Sequence, residues 1–251
     1  MLIQGAKIQV QILSCYFFQH GSGETEKMIN SYEVILADTE ESKNIHYNLR
    51  YQIFCLEKGF EEAGKFKNEM EKDIYDDKAI HFLVNSNNRW IGTFRLVIDQ
   101  FGSLPFQKTT ALGSPQFLPH NLQAAEFSRL GILRPFQKLR NGQPPKESSE
   151  NESEIMLKML HAAREYCCAN SIGYVICLCR RSIARVLNQF GIQARSIGPA
   201  IIHHGPRIPF ALNLADSHAF DSIVNSCLTA GRAYSVYSEI YSNEAPLALA
   251  A

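Results

Sequence analysis

The 251-residue sequence predicts an α/β fold: a mixed, largely antiparallel sheet flanked by helices. Three observations predict it. Short runs rich in apolar and β-branched residues recur along the chain, among them YEVILAD, AIHFLVNS, RWIGTFRLVID and YVICLC. Two of these runs, 79–86 and 89–99, are separated by Asn87-Asn88 alone, which reads as an antiparallel hairpin. The second half then alternates helical and strand-like segments, the pattern of helices layered on a sheet.

The elements follow in order. Tyr32–Asp38 reads as the first strand. Thr39 or Asp38 can cap a helix from Glu40 to Lys58, with Ile45, Leu49, Ile53 and Leu56 at helical spacing and a neighbouring stripe of Tyr47, Arg50, Tyr51 and Phe54. Residues 59–72 read as loop or broken helix. In the hairpin, Trp90, Ile91 and Phe94 can anchor a core, and Gly92 marks a bulge or a close backbone approach. The segment from Phe101 to Asn121 holds Gly102, Pro105, Gly113, Pro115 and Pro119. It reads as a long loop, and loops of that length are often functional. A strand at 124–133 precedes a polar join from Pro135 to Ser149. A helix from Glu150 to Ala169 shows an apolar face of Ile155, Met159, Leu160, Ala162 and Ala163. YVICLC follows, then the amphipathic RSIARVLNQFG stopped by Gly191, a strand over Ile192–Ile202, a last strand over 208–214 and a helix over 216–234.

The length suits one large domain or two small ones. We assign residues 1–31 as an N-terminal extension and 32–251 as a single domain. The composition is 45% hydrophobic and 20% charged, ordinary for a globular chain. Lysine plus arginine equals aspartate plus glutamate at 25 each, so no global charge favours nucleic acid. A local basic run, Arg129, Arg134, Lys138 and Arg140, can meet an acidic carrier protein or a phosphate, or can be a solvated loop. IQVQILSCYFF is too interrupted by glutamine for a signal peptide, and no apolar run reaches transmembrane length, so no integral membrane segment is expected. Seven cysteines, Cys15, Cys55, Cys167, Cys168, Cys177, Cys179 and Cys227, form no zinc-like pattern and point to a reducing, cytoplasmic setting.

Most of the chemistry lies between Glu71 and Arg129. Glu71, Asp73 and Asp76 fall in a tight acidic phase, followed by Arg95 and by Glu126-Phe127-Ser128-Arg129. Charges on or beside an apolar sheet are costly unless paired or used. Strand alternation puts Glu126 and Ser128 on one face and Phe127 and Arg129 on the other, so Arg129 needs a partner near a sheet edge or bend. Spacing alone leaves both a structural ion-pair network and a functional site open. Eight histidines show no metal-binding spacing. His203 and His204, as strand neighbours, would face opposite ways, so no metal is assigned.

These residues resemble a family. Arg50 followed by Phe54 (LRYQIF), E-x-D-x-x-D at Glu71, Asp73 and Asp76, G-x-x-R at Gly92 and Arg95, Pro105-Phe106, and E-x-S-R at Glu126–Arg129 are similar, in order, to the acyl-homoserine-lactone synthases and N-acyl amino acid synthases, including the acyltransferases of exosortase-type sorting systems. The resemblance covers about residues 32–133 and implies an acetyltransferase-like (GNAT-type) fold. Where lactone synthases carry a tryptophan after the first helix, Phe60 is the nearest counterpart. The R/Q-x-x-G-x-G/A fingerprint of ordinary acetyltransferases is not evident in the join directly after residue 133, which favours an acyl-carrier-protein donor or a donor held in a modified way.

The implied activity is N-acylation: a long-chain acyl group passes from a carrier-protein or coenzyme A thioester to the amine of an amino acid or similar small molecule. No tightly bound cofactor is implied. Glu126 is the first choice for the base that frees the amine, while Asp73 or Asp76 can bind the amine's positive charge. The resemblance gives Arg50 the ordering of an N-terminal lid or acceptor pocket. It gives Arg95 and Arg129 the orientation of Asp73, Asp76 or Glu126. Arg50, Phe54, Phe106, Phe127 and Ser128 are the expected donor-binding residues. A splayed strand pair, 124–133 with 173–179, would admit the pantetheine arm. The alternatives are a lactone autoinducer synthase using S-adenosylmethionine, another coenzyme-A-dependent acetyltransferase-like enzyme, and an acyl- or lipid-binding module without turnover.

Overall fold

The computed structural model describes residues 32–109, 123–133, 148–189, 191–213 and 232–241. Its sheet runs in the order β6-β8-β5-β4-β3-β2-β1-β9, with β7 paired to β8. The strands are β1 (Tyr32–Leu36), β2 (Ala79–Ser86), β3 (Arg89–Gln100), β4 (Gln123–Ile132), β5 (Tyr174–Cys179), β6 (Ala194–Ser196), β7 (Ile201–Ile202), β8 (Pro206–Asn213) and β9 (Ser235–Val236). Among the described strands, only β1–β9 and β4–β5 pair in parallel. The helices are α1 (Glu40–Arg50), α2 (Pro105–Thr109), α3 (Ser148–Ala169), α4 (Arg181–Gln189) and α5 (Tyr237–Tyr241). The mixed, mostly antiparallel sheet flanked by helices is the architecture the sequence predicts.

Thr39 is the cap of α1. Its hydroxyl accepts the Ser42 N–H at 3.1 Å while the Ser42 hydroxyl accepts the Thr39 N–H at 3.0 Å, and Glu40 and Glu41 complement the positive helix end. Asp38 is used elsewhere: it accepts from the Ser238 backbone and hydroxyl and ties α5 to the end of β1. The helix does reach Glu57, but Tyr51–Glu57 is a π-helix. Widening the turn breaks the 3.6-residue register. Ile45, Leu49 and Ile53 stay buried as the spacing predicts, whereas Leu56 turns out to solvent at 61% exposure, which corrects its place in the core stripe. The second stripe of Tyr47, Arg50, Tyr51 and Phe54 is buried too.

The β2–β3 hairpin turns at Asn87 (φ 51°) and Asn88 (φ 60°), the left-handed pair that a two-residue turn needs. Ile91 is an extra residue in β3, since Val84 faces Gly92 while Asn85 faces Trp90. Gly92 also marks a close approach: a Cβ there would lie 2.9 Å from the Met159 methyl of α3. Gly131 plays the same part on the other face, where a Cβ would lie 2.8 Å from Ile53 of the π-helix. The two glycines let helices press on both faces of the sheet.

The larger core lies between the sheet and α3 and α4, and includes Phe82, Phe94, Phe127, Met159, Ala162 and Leu187. A second lies under α1 and the π-helix with Ile35, Leu49 and Ile53. A third joins Leu104 and Phe106 of the α2 region to Ala124 and Ile176.

Several boundaries differ from the sequence reading. The segment from Phe101 to Asn121 is not all loop, because Pro105–Thr109 is helical. The strand predicted over Ile192–Ile202 is two short strands, β6 and β7, each paired with β8 and separated by Gly198-Pro199. Gly191 stops α4 as predicted: at φ 77° it lets its own N–H reach Asn188 and the Ile192 N–H reach Leu187. Residues 1–31, most of the join at 135–149, residues 216–231 of the helix expected over 216–234 and the basic residues Arg134, Lys138 and Arg140 lie outside the described residues; residues 232–234 are described and are not helical.

Candidate active site

One strand irregularity builds the site. In β4, Ser128 faces Arg95 and Gly131 faces Thr93, so Arg129 and Leu130 together oppose Phe94. Arg129 takes φ 51° in this bulge. The extra residue breaks alternation and brings Arg129 to the side occupied by Glu126, Ser128 and Arg95, while Phe127 stays in the core. The bend that simple alternation required for Arg129 is this bulge.

The acidic run wraps over that face. Arg95 grips Asp73 with two parallel bonds of 2.7 and 2.8 Å, donates to Asp76 at 2.6 Å and to the Ser128 hydroxyl at 3.1 Å. Arg50 donates to Glu71 at 2.5 Å and to Asp76 at 2.6 Å. Arg129 reaches Glu71 at 3.0 Å, Asp73 at 3.1 Å and Glu61 at 3.4 Å. Three guanidinium forks are thus interleaved with Glu71, Asp73 and Asp76. Such bidentate geometry offsets the desolvation of burying both signs. The Asp73 N–H also donates to Asp76 at 2.6 Å, and the Tyr75 N–H to Asp73 at 2.9 Å, so the loop's own backbone holds the acids in phase. Burial alone would raise Asp76, but Arg50 and Arg95 hold its carboxyl down at about 2. Asp73 is also held below its ordinary value, against burial, by Arg95.

Beneath this network lie two buried histidines. His46 shares Nδ1 with the Thr93 hydroxyl at 2.6 Å, and His81 contacts the Asp76 carbonyl at 3.1 Å. Burial, aided in His46 by Arg50, pushes His46 well below its ordinary value; burial brings His81 to about 4 even against Asp76. A group whose folded pKa is lowered stabilises the fold above its unfolded pKa and loses that contribution as pH falls. The two histidines should therefore weaken the fold as pH drops from about 6.5 towards 4. Glu126, raised on folding, acts in the opposite direction but is one group against two. We expect the melting temperature to fall between pH 7 and pH 5, and the fall to shrink in His81→Asn. An unchanged pH slope in that variant would contradict the role of His81.

Glu126 stands apart from the ion pairs. It is 5% exposed, and its Oε2 accepts the Phe106 N–H at 2.7 Å. Burial raises its carboxyl to about 7, against the lowering influence of that N–H, Arg95 and Arg129. A carboxyl that titrates near neutrality can take a proton and release it.

Glu126 also sits where the sheet opens. β4 and β5 pair in parallel only over Ala124–Glu126 and Tyr174–Ile176; beyond that point the strands part. A cavity of about 610 Å³ fills the gap. Glu126, Phe127, Ser128 and Arg129 line one wall with Phe54 and Phe60, and Cys177, Leu178 and Cys179 line the other. Met156 and Leu160 of α3 and Ile183 and Leu187 of α4 add apolar side chains to the lining; Arg180, His203, His204 and Arg207 add polar ones.

The sequence-derived residues are thus distributed unequally. Phe54, Glu126, Phe127, Ser128 and Arg129 line the cavity. Arg95, Asp73, Asp76 and Arg50 form the supporting network, and Arg50 is fully buried rather than open to an acceptor. Phe106 keeps its ring in the third core, and its backbone N–H is what reaches Glu126. His203 and His204 are not strand neighbours facing apart. They lie between β7 and β8 with ring centroids 4.6 Å apart, and His204 stacks on Phe60 at 4.6 Å. Among the described residues no group of three histidine, cysteine or acidic side chains could hold a metal ion. The sequence reading missed Glu61, Arg180 and Arg207. The adjacent Arg180-Arg181 at the end of YVICLC was the one available signal.

Comparison with known proteins agrees with this geometry. Residues 49–143 match the acetyltransferase (GNAT) domain family. Curated protein sequences give no match. Among solved structures the chain resembles BjaI, a coenzyme-A-dependent acyl-homoserine lactone synthase with SAM and isopentyl-CoA, at 18% identity and a TM-score of 0.61, over 82% of this chain and 92% of that one. It resembles the acyl-homoserine lactone synthase LasI at 18% identity and 0.59, over 80% and 98%. FeeM, an N-acyl amino acid synthase from uncultured soil microbes, gives 13% identity and 0.51, over 74% and 93%. The fold is therefore the GNAT fold, and the family match supports an acyltransferase.

Proposed function

We propose that the protein is an N-acyltransferase that moves a long-chain acyl group from a carrier-protein or coenzyme A thioester to the amine of an amino acid or similar small molecule. The observation that carries this reading is the parting of β4 and β5 at Glu126, a buried carboxyl that titrates near 7 in the wall of a cavity lined in part by apolar side chains. The acceptor arrives as an ammonium ion and Glu126 takes its proton. The neutral amine attacks the thioester carbonyl, the carbon–sulfur bond breaks, and the thiol leaves protonated. Beyond Glu126 no described strand pairs with β4 on the cavity side, so its N–H groups are offered to the developing oxyanion. Met156, Leu160, Ile183 and Leu187 receive the acyl chain. Asp73, partly exposed beside Arg129, attracts the ammonium.

Lactone formation from S-adenosylmethionine is the second reading. It is favoured by Glu61, a carboxylate on the cavity wall that would attract a cationic acceptor. No helix among the described residues is long and apolar enough to cross a membrane. We assign the enzyme to a reducing, cytoplasmic setting, in keeping with the five free cysteines among the described residues.

The test supplies purified protein with long-chain acyl-carrier protein or acyl-coenzyme A, each with pooled amino acids and S-adenosylmethionine, and reads products by mass spectrometry. An acylated amine is expected, and its mass names acceptor and chain. Folded protein that binds an acyl donor yet forms no acceptor-dependent product would contradict the proposal and favour a binding module.

A further inference from the structure

We propose that Arg180 and Arg207 bind a phosphate ester: the phosphate of the phosphopantetheine arm, which coenzyme A and acyl-carrier protein share. The inference rests on the thioester-donor reading above and names the anchor of that donor.

The two arginines meet at one end of the parted strands. Cys179 of β5 pairs with Ile208 of β8, so Arg180 and Arg207 are the next residues beyond that pair on adjoining strands. Both line the cavity, Arg180 where the chain passes from β5 into α4 and Arg207 on β8. Their charges act on each other: burial, then Arg180, lowers Arg207, and only the Cys179 thiol opposes the shift. Among the described residues no carboxylate pairs with either. The Nη1 of Arg207 is buried and has no hydrogen-bond partner.

This contrasts with the rest of the site. Arg50, Arg95 and Arg129 are each matched by carboxylates. Two adjacent guanidiniums without counter-charges repel each other and favour an anion between them. A guanidinium fork fits phosphate oxygens bidentately. Arg180 also lies at the start of α4, whose first turn carries no acidic residue to compete.

The spacing suits the donor. Glu126 is level with Ile176, and Arg180 is four residues further along the chain. At ~3.3 Å per extended residue that is roughly 13 Å. A pantetheine arm separates its thiol from its phosphate by a chain of two amides and can bridge such a gap. The arm would then run along β5 with its thioester at Glu126 and its phosphate on the two arginines.

Competition binding of 4′-phosphopantetheine and of pantetheine tests the site without turnover. Wild-type protein is expected to prefer the phosphorylated compound by about 30-fold, the scale of losing charge-assisted hydrogen bonds. Arg180→Gln/Arg207→Gln should bind the two compounds equally. The exposed single variant Arg180→Gln, confirmed folded by its melting curve, should lose part of the preference. Equal binding by wild type, or a preference that survives the double substitution, would overturn the site. In turnover, acyl-coenzyme A and acyl-carrier protein should both lose kcat/KM in the double variant. Loss with acyl-coenzyme A alone would assign the arginines to that molecule's other phosphates and overturn the shared anchor. If wild type turns over acyl-pantetheine and acyl-phosphopantetheine equally well, the site falls and the acyltransferase reading stands. If phosphopantetheine binding needs both arginines but no donor supports acyl transfer, the site stands and the acyltransferase reading falls.

Discussion

Glu126→Gln is expected to fold normally and to transfer acyl groups about 10²–10⁴-fold more slowly than wild type, the range for loss of a positioned general base. Glutamine keeps the size of the side chain and an oxygen that can accept the Phe106 N–H at the present 2.7 Å. It removes the ability to take a proton. The substitution also removes a carboxylate whose charge is disfavoured by burial, so it should not lower the melting temperature. Stability and activity are thereby predicted to separate, and thermal melting beside steady-state rates measures both. A Glu126→Gln enzyme with wild-type turnover would exclude Glu126 as the base and turn attention to Asp73.

Arg50→Met is expected to act on the fold itself. Arg50 is fully buried, and its guanidinium is shared between Glu71 at 2.5 Å and Asp76 at 2.6 Å. Methionine fills much of the space, yet it leaves both carboxylates with one fewer cation in a dry setting. Breaking a buried pair on one side costs about 3–5 kcal/mol. For a chain of this size that lowers the melting temperature by about 10 °C. Adding Asp76→Asn should recover part of the loss, because one of the stranded charges is gone. A melting temperature within about 2 °C of wild type for the single variant would show that Arg95 and Arg129 suffice to hold the acids.

The two variants probe different parts of one design. Arg50, Arg95 and Arg129 fix the loop that carries Glu71, Asp73 and Asp76. Glu126 is kept out of those pairs and given a backbone N–H instead, so its carboxyl titrates higher than its neighbours while standing on the same face. Ion pairing holds the Asp73 and Asp76 carboxyls low; burial raises that of Glu126 towards neutrality.

Much of this was legible in the residues. The Asn87-Asn88 hairpin, the cap at Thr39, the apolar face of α3 and the stop at Gly191 follow from local rules, and they appear where those rules put them. The grouping of Glu71, Asp73, Asp76, Arg95 and Arg129 was legible as a set of charges needing partners. Which charge meets which was not, because the pairing depends on a bulge. Strand alternation places Arg129 away from Glu126, and only the left-handed turn at Arg129 reverses that. Leu56 was misplaced for a similar reason: a π-helix cannot be told from an α-helix by apolar spacing. Phe106 acts through its backbone, which a side-chain pattern does not encode. Arg180 and Arg207 are 27 positions apart and meet only through the β5–β8 pairing.

The pH dependence of kcat, measured at saturating acceptor and donor for wild type and for Glu126→Gln, tests the central claim most directly. Glu126 must be ionised to accept the proton, so activity is present above its pKa and lost as pH falls through it. Wild-type kcat is predicted to fall tenfold per pH unit below about 7, and that limb is predicted to be missing from the residual activity of Glu126→Gln. The same acid limb in both proteins would contradict the assignment of Glu126 as the group that takes the proton.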